Sequence, residues 1–500
     1  MNELQYQLRI SSNSHVLVDI EDFRLAESGI TILFGESGIG KSLTGLAIAG
    51  LLEPDELHIQ FNGKKYEEYL RSRELAEVRQ NGFFVFQEPS SHLNPLMTLQ
   101  SQLQEGALAE APGEKALFAR LWRGVPEARV QEILDVYPKP YRPSGGEKQR
   151  ILAAMAFKKM ATIEAPVPGS LFIFDEPTGN LDNALRDEFL DLLIEGYRKC
   201  RATILLITHD YSIISLFSAK YSNLAKQFHY KELLLDRGKL RLKEFLPSSY
   251  LNWIGGRRAH AKSSQRTEIV ARLAPVIRVF GRTLTVSSAG EGNRPEPLVI
   301  RRGSMVYLKA PSGGGKTTVV KLMMGLLTAE QFSMELAGMS FTEKTGRRMW
   351  SRHVWGRQMA MVFQHADEAL NQNSIVKDVF AGLPLRTPLD AAAIVQKLSE
   401  LFEEQLTNEF LQKPVRFLSG GQKQRLNLLR SMVLDTDILI LDEPLNGLDF
   451  ESSVKVLDHI ENRLQRGKSV LVISHNEEIF DAVTSPGDVY YLHQVPEKPR

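Results

Sequence analysis

An α/β fold made of two successive copies of one domain is what this sequence predicts, and three observations predict it. Five short motifs occur twice, in the same order. Each set opens with a β-rich run that enters a glycine loop and leaves into an apolar, helix-like stretch. Each set also holds a second apolar run that ends in paired carboxylates.

The repeat comes first because it fixes the organisation. Gly40-Lys41-Ser42 returns as Gly315-Lys316-Thr317, and Phe86-Gln87 as Phe363-Gln364. Ser144-Gly145-Gly146 returns as Ser419-Gly420-Gly421, Asp175-Glu176-Pro177 as Asp442-Glu443-Pro444, and His209 as His475. Chance supplies one such match, but not five in order at near-constant separation. The period is too long for a solenoid unit, and 500 residues exceed what one hydrophobic core organises. Gly255 to Arg266 is polar, basic and poor in apolar residues, which suits an exposed connector. The expected domains are therefore 1–250 and 267–500, with 251–266 as linker.

Composition narrows the function. Lys plus Arg number 61 and Asp plus Glu 60, so nothing marks the chain as a general nucleic-acid binder. The single cysteine, Cys200, excludes an intrachain disulfide framework, a cysteine zinc site and an iron–sulfur cluster. No apolar run approaches the ~18–20 residues that cross a bilayer. Met1 to Ile10 show no cationic stretch followed by an apolar block, so no secretory signal is expected.

Gly29 to Phe34 reads as a strand, and it leads into Gly35-Glu-Ser37-Gly38-Ile-Gly40-Lys41-Ser42-Leu43 at a helix start. Strand, glycine loop and helix are the context of a phosphate-binding loop. Glycines let successive N–H groups converge on phosphate oxygens, and the helix N-terminus adds its dipole. Lys41 is expected on the β- and γ-phosphates, and the Ser42 hydroxyl on a magnesium ion. The second copy runs Ala310-Pro-Ser312-Gly313-Gly-Gly315-Lys316-Thr317-Thr318, with alanine at the first glycine position. An alanine there strains the loop if its φ is positive.

Leu171–Glu176 and Ile438–Glu443 read as buried parallel strands. Their carboxylates fall at C-terminal strand ends, where open α/β sheets bind ligands. Asp175 and Asp442 are expected in the magnesium shell, and Glu176 and Glu443 as bases for an attacking water. Two more strands end at His209 and His475, at nearly equal distances from the Asp-Glu pairs. That spacing suggests sensors of a γ-phosphate.

These residues together resemble the ATP-binding cassette (ABC) ATPases over nearly the whole chain. Pro143-Ser144-Gly145-Gly146-Glu147 and Leu418-Ser419-Gly420-Gly421-Gln422 are similar to the family signature. Gln87 and Gln364 resemble its Q-loops, which in the family touch magnesium and the water. Asn180-Leu-Asp182 and Gly447-Leu-Asp449 resemble its D-loops. The resemblance implies two P-loop NTPase domains in tandem, each with a parallel RecA-like core, an antiparallel β subdomain and a helical subdomain. It implies ATP and Mg2+ as ligands and head-to-tail pairing, Lys41 with Ser419 and Lys316 with Ser144. Ala310, Pro143 and Glu147 then make the Lys316 site the weaker one, through loop strain, a lost N–H and a negative charge beside the triphosphate.

Phe86-Gln-Glu-Pro89 with Leu93-Asn-Pro-Leu-Met-Thr98, and Leu370-Asn371 in the second copy, narrow the resemblance to peptide/nickel-type importer ATPases. That type implies membrane permease subunits in trans and, through them, a solute-binding protein. It implies a peripheral place on the cytoplasmic face of the inner membrane, with contact through Ser90–Thr98 and Ala366–Ile375 by way of Leu93 and Leu370. The alternative is a soluble tandem cassette acting on ribosomes or another cytosolic complex. A DNA-handling cassette fits less well, because the motif spacing leaves no room for a coiled coil.

Overall fold

The uninterrupted apolar runs become the central strands of two core sheets, one in each half of the chain. The computed structural model describes residues 3–495 apart from 13–14, 54–56, 110, 139–142, 165, 180, 237–238, 261–266, 289–293, 312, 386 and 403–405. The chain divides into two units, Met1–Pro247 and Ser248–Arg500.

In the first unit the strands are β1 (Glu3–Ser12), β2 (His15–Ala26), β3 (Ile30–Gly35), β4 (His58–Phe61), β5 (Lys64–Lys65), β6 (Phe83–Val85), β7 (Leu171–Asp175), β8 (Thr203–Ile207), β9 (Phe228–Asp236) and β10 (Lys239–Glu244). The principal helices are α1 (Lys41–Ile48), α2 (Gly145–Ala161), α3 (Asn183–Cys200) and α4 (Ser212–Lys220). The core sheet has the order β10-β9-β3-β8-β7-β6, and only β10 runs antiparallel to its neighbour. Strands β3, β7 and β8 are buried end to end, as a sheet covered on both faces requires. Each buried Ile or Leu contributes about 1.5–3 kcal/mol. A separate antiparallel sheet has the order β2-β1-β4-β5. Short helices, Leu99–Leu103, Glu114–Leu121 and Glu127–Leu134, fill the stretch between Gln87 and Ser144.

The second unit opens with α5 (Pro247–His260), all but its first residue lying in that unit. Its strands are β11 (Ile269–Leu273), β12 (Val276–Val279), β13 (Arg282–Ser288), β14 (Leu298–Arg301), β15 (Met305–Lys309), β16 (Ser333–Leu336), β17 (Met339–Thr342), β18 (Met359–Val362), β19 (Ile438–Asp442), β20 (Ser469–Ile473) and β21 (Val489–Val495). Further helices are α6 (Lys316–Met323), α7 (Gly420–Met432), α8 (Phe450–Gln465) and α9 (Glu477–Val483). The core order is β12-β13-β21-β15-β20-β19-β18, parallel from β21 to β18. An antiparallel sheet β14-β11-β16-β17 stands beside it. Helices Ala391–Ser399 and Asn408–Gln412 lie between Gln364 and Ser419. Each sheet draws its strands from one unit, so the expected tandem α/β architecture is present.

Residues 251–260 of the expected linker are helical, and 261–266 lie outside the described residues. Tyr250 and Ile254 are buried, with Trp253 and Arg257 half-buried. These four stand at helical spacing and bury one face, which outweighs the low helix propensity of Gly255 and Gly256.

Candidate active site

Parallel pairing places the chemistry at one edge of each sheet. Asp175 lies opposite Ile207 and Asp442 opposite Ile473. The residues that follow, Glu176 with His209 and Glu443 with His475, therefore emerge side by side. Glu176 and Glu443 both have left-handed backbone, φ 45° and 49°. Such strain in a non-glycine residue costs on the order of 1–3 kcal/mol and persists only where the surroundings enforce it. Here the Glu176 N–H donates to Ile207 O and the Glu443 N–H to Ile473 O, each at 3.0 Å.

In the first unit the phosphate loop joins β3 to α1. Gly35 has φ 146°, and a Cβ there would lie 2.4 Å from Leu233 O. Gly38 and Gly40 also have positive φ. Buried Lys41 donates to Gly35 O at 2.7 Å and Glu36 O at 3.0 Å, and its Nζ is 3.9 Å from Glu176 Oε1. His209 Nδ1 is 2.9 Å from the same oxygen. Burial alone would raise the Glu176 carboxyl, but His209 and Lys41 outweigh it and hold it below the usual range. Burial would lower His209, and Glu176 reverses that. Both shifts favour the ion pair. Ser37 is exposed at the loop, while Ser42 and Leu43 are half-buried in the first turn of α1.

The second unit repeats the layout with different contacts. Lys316 donates to Ala310 O at 2.7 Å. Gly313 and Gly315 have positive φ, but Ala310 does not, so the loop strain expected of an alanine there is absent. Thr317 and Thr318 lie in the first turn of α6, and Ser312 lies outside the described residues. Glu443 accepts hydrogen bonds from the Ser474 hydroxyl at 2.8 Å and from the His475 backbone N–H at 3.1 Å. The His475 ring stands farther off, Nε2 3.6 Å from Glu443 Oε1. Burial, only partly offset by these hydrogen bonds, pushes the Glu443 carboxyl up to about 7.

Both aspartates suit a hard cation. Burial pushes Asp175 up to about 6 against a Ser42 hydroxyl bond, and Asp442 up to about 6 against a Thr317 hydroxyl bond. One buried oxygen of each, Asp175 Oδ1 and Asp442 Oδ2, accepts no hydrogen bond among the described residues. No group of three or more His, Cys, Asp or Glu able to hold a metal occurs among the described residues. A cation here would share its shell with phosphate oxygens, which is the habit of Mg2+. Gln87 and Gln364 follow β6 and β18, the strands paired with β7 and β19.

The signature residues are helix caps. The Ser144 hydroxyl accepts from the Glu147 N–H at 3.2 Å, and the Glu147 carboxylate accepts from the Ser144 N–H at 2.6 Å. Ser419 and Gln422 form the same reciprocal pair. Glu147 therefore serves α2 as Gln422 serves α7, and its charge is already engaged at the helix start. Gly145, Gly146, Gly420 and Gly421 form the first turns. Asp182 and Asp449 cap α3 and α8 through the N–H groups of Leu185 and Ser452; Asn180 lies outside the described residues.

One residue escaped the sequence reading. Phe280, with φ 53°, turns the β12–β13 hairpin and is 67% exposed. It lines a cleft of about 310 Å³ with Arg282, Gly313, Gly314, Gly315 and Thr318. The only sequence signal was an aromatic inside a tight Val-Phe-Gly-Arg turn.

The ABC transporter family model matches residues 18–179 and 297–446, the stretches that carry both phosphate loops and both Asp-Glu pairs. This chain belongs to the ABC transporter family. It is a two-cassette, nucleotide-binding ABC ATPase.

The ABC ATPase is 27% identical to an uncharacterized ABC transporter ATP-binding protein, YejF, of Escherichia coli (strain K12), covering 91% of this chain and 87% of the relative. It is 28% identical to the peptidoglycan transport ATP-binding protein YejF of Agrobacterium fabrum, covering 94% and 86%. It is 24% identical to the glutathione import ATP-binding protein GsiA of Salmonella paratyphi A, covering 95% and 81%. Among solved structures it resembles the RNase-L Inhibitor, with TM-score 0.60, 17% identity and coverage of 97% and 89%. It also resembles the archaeal ribosome recycling factor aABCE1, with TM-score 0.60, 18% identity and coverage of 96% and 88%. At such identities these two show the shared fold alone.

Proposed function

We propose that this ABC ATPase hydrolyses Mg-ATP at both centres to energise a membrane importer of peptides or a related small solute. The observation that carries the hydrolytic part is the cluster at the strand ends of each unit: a buried lysine and aspartate, a glutamate beside them, and a half-buried histidine. Lys41 and Lys316 neutralise the β- and γ-phosphates, helped by the loop N–H groups and the helix N-termini. Ser42 with Asp175, and Thr317 with Asp442, would hold Mg2+ together with Gln87 and Gln364, where the ion would offset charge on the phosphates. Glu176 and Glu443 take the proton of the attacking water, and His209 and His475 face the γ-phosphate. Ser144–Gly146 and Ser419–Gly421 offer a hydroxyl and N–H donors at helix N-termini to a γ-phosphate. Phe280 offers its ring to the adenine base in the cleft beside the second phosphate loop.

The importer reading draws on near-full-length similarity to transport and import ATP-binding proteins. It also draws on the segment after the first Q-loop. Leu93 and Leu370 are buried, which removes them from the contact surface expected of them. Leu96, three residues on, is 84% exposed on a loop and is the apolar group a permease helix would cover. No helix among the described residues is long and apolar enough to cross a membrane; in the importer reading the solute path belongs to permease subunits in trans. The similarity to transport and import ATP-binding proteins supports a peripheral place at the cytoplasmic face of the inner membrane.

Purification of the chain from detergent-solubilised membranes tests the reading. It should bring down a permease, and Leu96→Asp should weaken capture with ATP binding and thermal midpoint unchanged. Recovery with ribosomes and without a membrane protein would overturn the importer assignment.

A further inference from the structure

The two units tie their switch-histidine loops down by different means. In the first, Arg186 of α3 donates to Asp210 Oδ2 at 3.1 Å and to Ser212 Oγ at 2.8 Å. Asp210 follows His209, and α3 begins just after Asp182. One half-buried guanidinium thus links the helix behind the D-loop to the loop that carries the histidine. Counted from Asp449 and His475, the corresponding positions in the second unit are Ser453, Asn476 and Glu478. A serine and an asparagine cannot form that ion pair.

Helix α5 stands in its place. Fully buried Tyr250 donates its hydroxyl to Glu478 Oε2 at 2.9 Å, and Arg258 donates to Glu478 Oε1 at 2.8 Å. Glu478 lies in the first turn of α9, three residues past His475. On its other side α5 grips α8. Trp253 meets Phe450 edge to face, with centroids 5.4 Å apart, and Tyr250 meets the same ring at 6.0 Å. Arg257 forms ion pairs with Asp458 and Glu461. Phe450 directly follows Asp449, the residue that caps α8.

We infer that α5 is a positioning strap of the second centre, replacing the Arg186 tie by holding Glu478 of the histidine loop against the helix behind the D-loop. The inference rests on the proposed hydrolytic role of Glu443 and His475. Lys309, at the end of β15, already binds Glu477 and Asp481 from the sheet side. The strap adds the link to α8 that Lys309 does not make. Tyr250 and Arg258 are positioning residues, because they act on His475 through Glu478.

The test uses the full chain with Tyr250→Phe and Arg258→Gln together, leaving Trp253 and Arg257 to keep α5 docked. Hydrogen exchange on peptides spanning 474–483 should quicken about tenfold, the scale of losing a hydrogen bond to a charged group. Exchange in 209–214 should not change. ATP turnover should fall several-fold in kcat at unchanged KM. Adding Ser453→Arg with Asn476→Asp, the first unit's own pair, should restore both. Unchanged exchange in 474–483 would overturn the strap, as would quickening spread across the second unit, or exchange restored by the graft without kcat. Glu443→Gln, run alongside, separates the two readings. If it leaves turnover intact, the second centre does not hydrolyse; if it slows turnover and the strap variant does not, α5 has no positioning role.

Discussion

The first and second centres share their motif residues and differ in what touches them. Glu176 is held by the side chains of His209 and Lys41, which keep its carboxyl below the usual range. Glu443 is held by the Ser474 hydroxyl and the His475 backbone, with the imidazole farther away, and burial raises it. The loops that carry the histidines are also anchored differently. Phe34 stacks on Tyr211 at 4.4 Å in the first unit, where Lys309 pairs with Glu477 in the second. A repeated motif therefore fixes where the chemistry sits, while its neighbours fix the charge state and rigidity of each copy. One expected asymmetry shrinks in this light: Ala310 is unstrained, and Glu147 is a capping residue.

The largest contrast should come from the first position of each phosphate loop. Gly35→Ala puts a Cβ on Leu233 O at positive φ and should abolish nucleotide binding by that unit or unfold it, a loss of more than 3 kcal/mol. Ala310→Gly should cost no more than about 1 kcal/mol, from chain entropy alone. Thermal unfolding with and without ATP reads both, and equal losses would break the comparison.

The histidines come next. His209→Ala removes the group at hydrogen-bond distance from Glu176 and should slow first-centre hydrolysis roughly 10- to 100-fold, the worth of a charged hydrogen bond. His475→Ala leaves both hydrogen bonds to Glu443 in place and should cost less. Single-turnover hydrolysis in Glu443→Gln and Glu176→Gln backgrounds, respectively, isolates each effect. The reverse order would show that the rings act on the phosphate alone.

Most of this site was legible because it sits on regular strands. Leu171–Asp175 and Ile438–Asp442 are unbroken apolar runs, and only a buried strand explains a carboxylate pair at the end of one. The glycine loops announced themselves by position between strand and helix. What lay hidden depended on tertiary packing. Helix α5 carries the helical spacing Tyr250, Trp253, Ile254, Arg257, but Gly255-Gly256 and the following basic run masked it as connector. The burial of Leu93 and Leu370 beside exposed Leu96 has no marker in a segment rich in turn formers. Glu147 reads in the sequence as a charge near phosphate, because its reciprocal bond to Ser144 competes with the ligand role that the same serine suggests.

The smallest effect follows from that last point. Glu147→Gln copies the second unit's capping pair and should change stability by no more than about 0.5 kcal/mol, whereas Glu147→Ala should cost roughly 1 kcal/mol. Chemical denaturation of the two variants distinguishes a cap from a phosphate-facing charge.

The central claim is that both centres hydrolyse ATP with a strand-end glutamate as base. Single-turnover hydrolysis by Glu176→Gln, by Glu443→Gln and by the double variant, with ATP binding measured in parallel, tests it most directly. Each single variant should bind ATP normally and lose hydrolysis at its own centre by roughly 100- to 10,000-fold, and the double variant should be inert. A double variant that hydrolyses ATP at the rate of the unmodified chain would contradict the account.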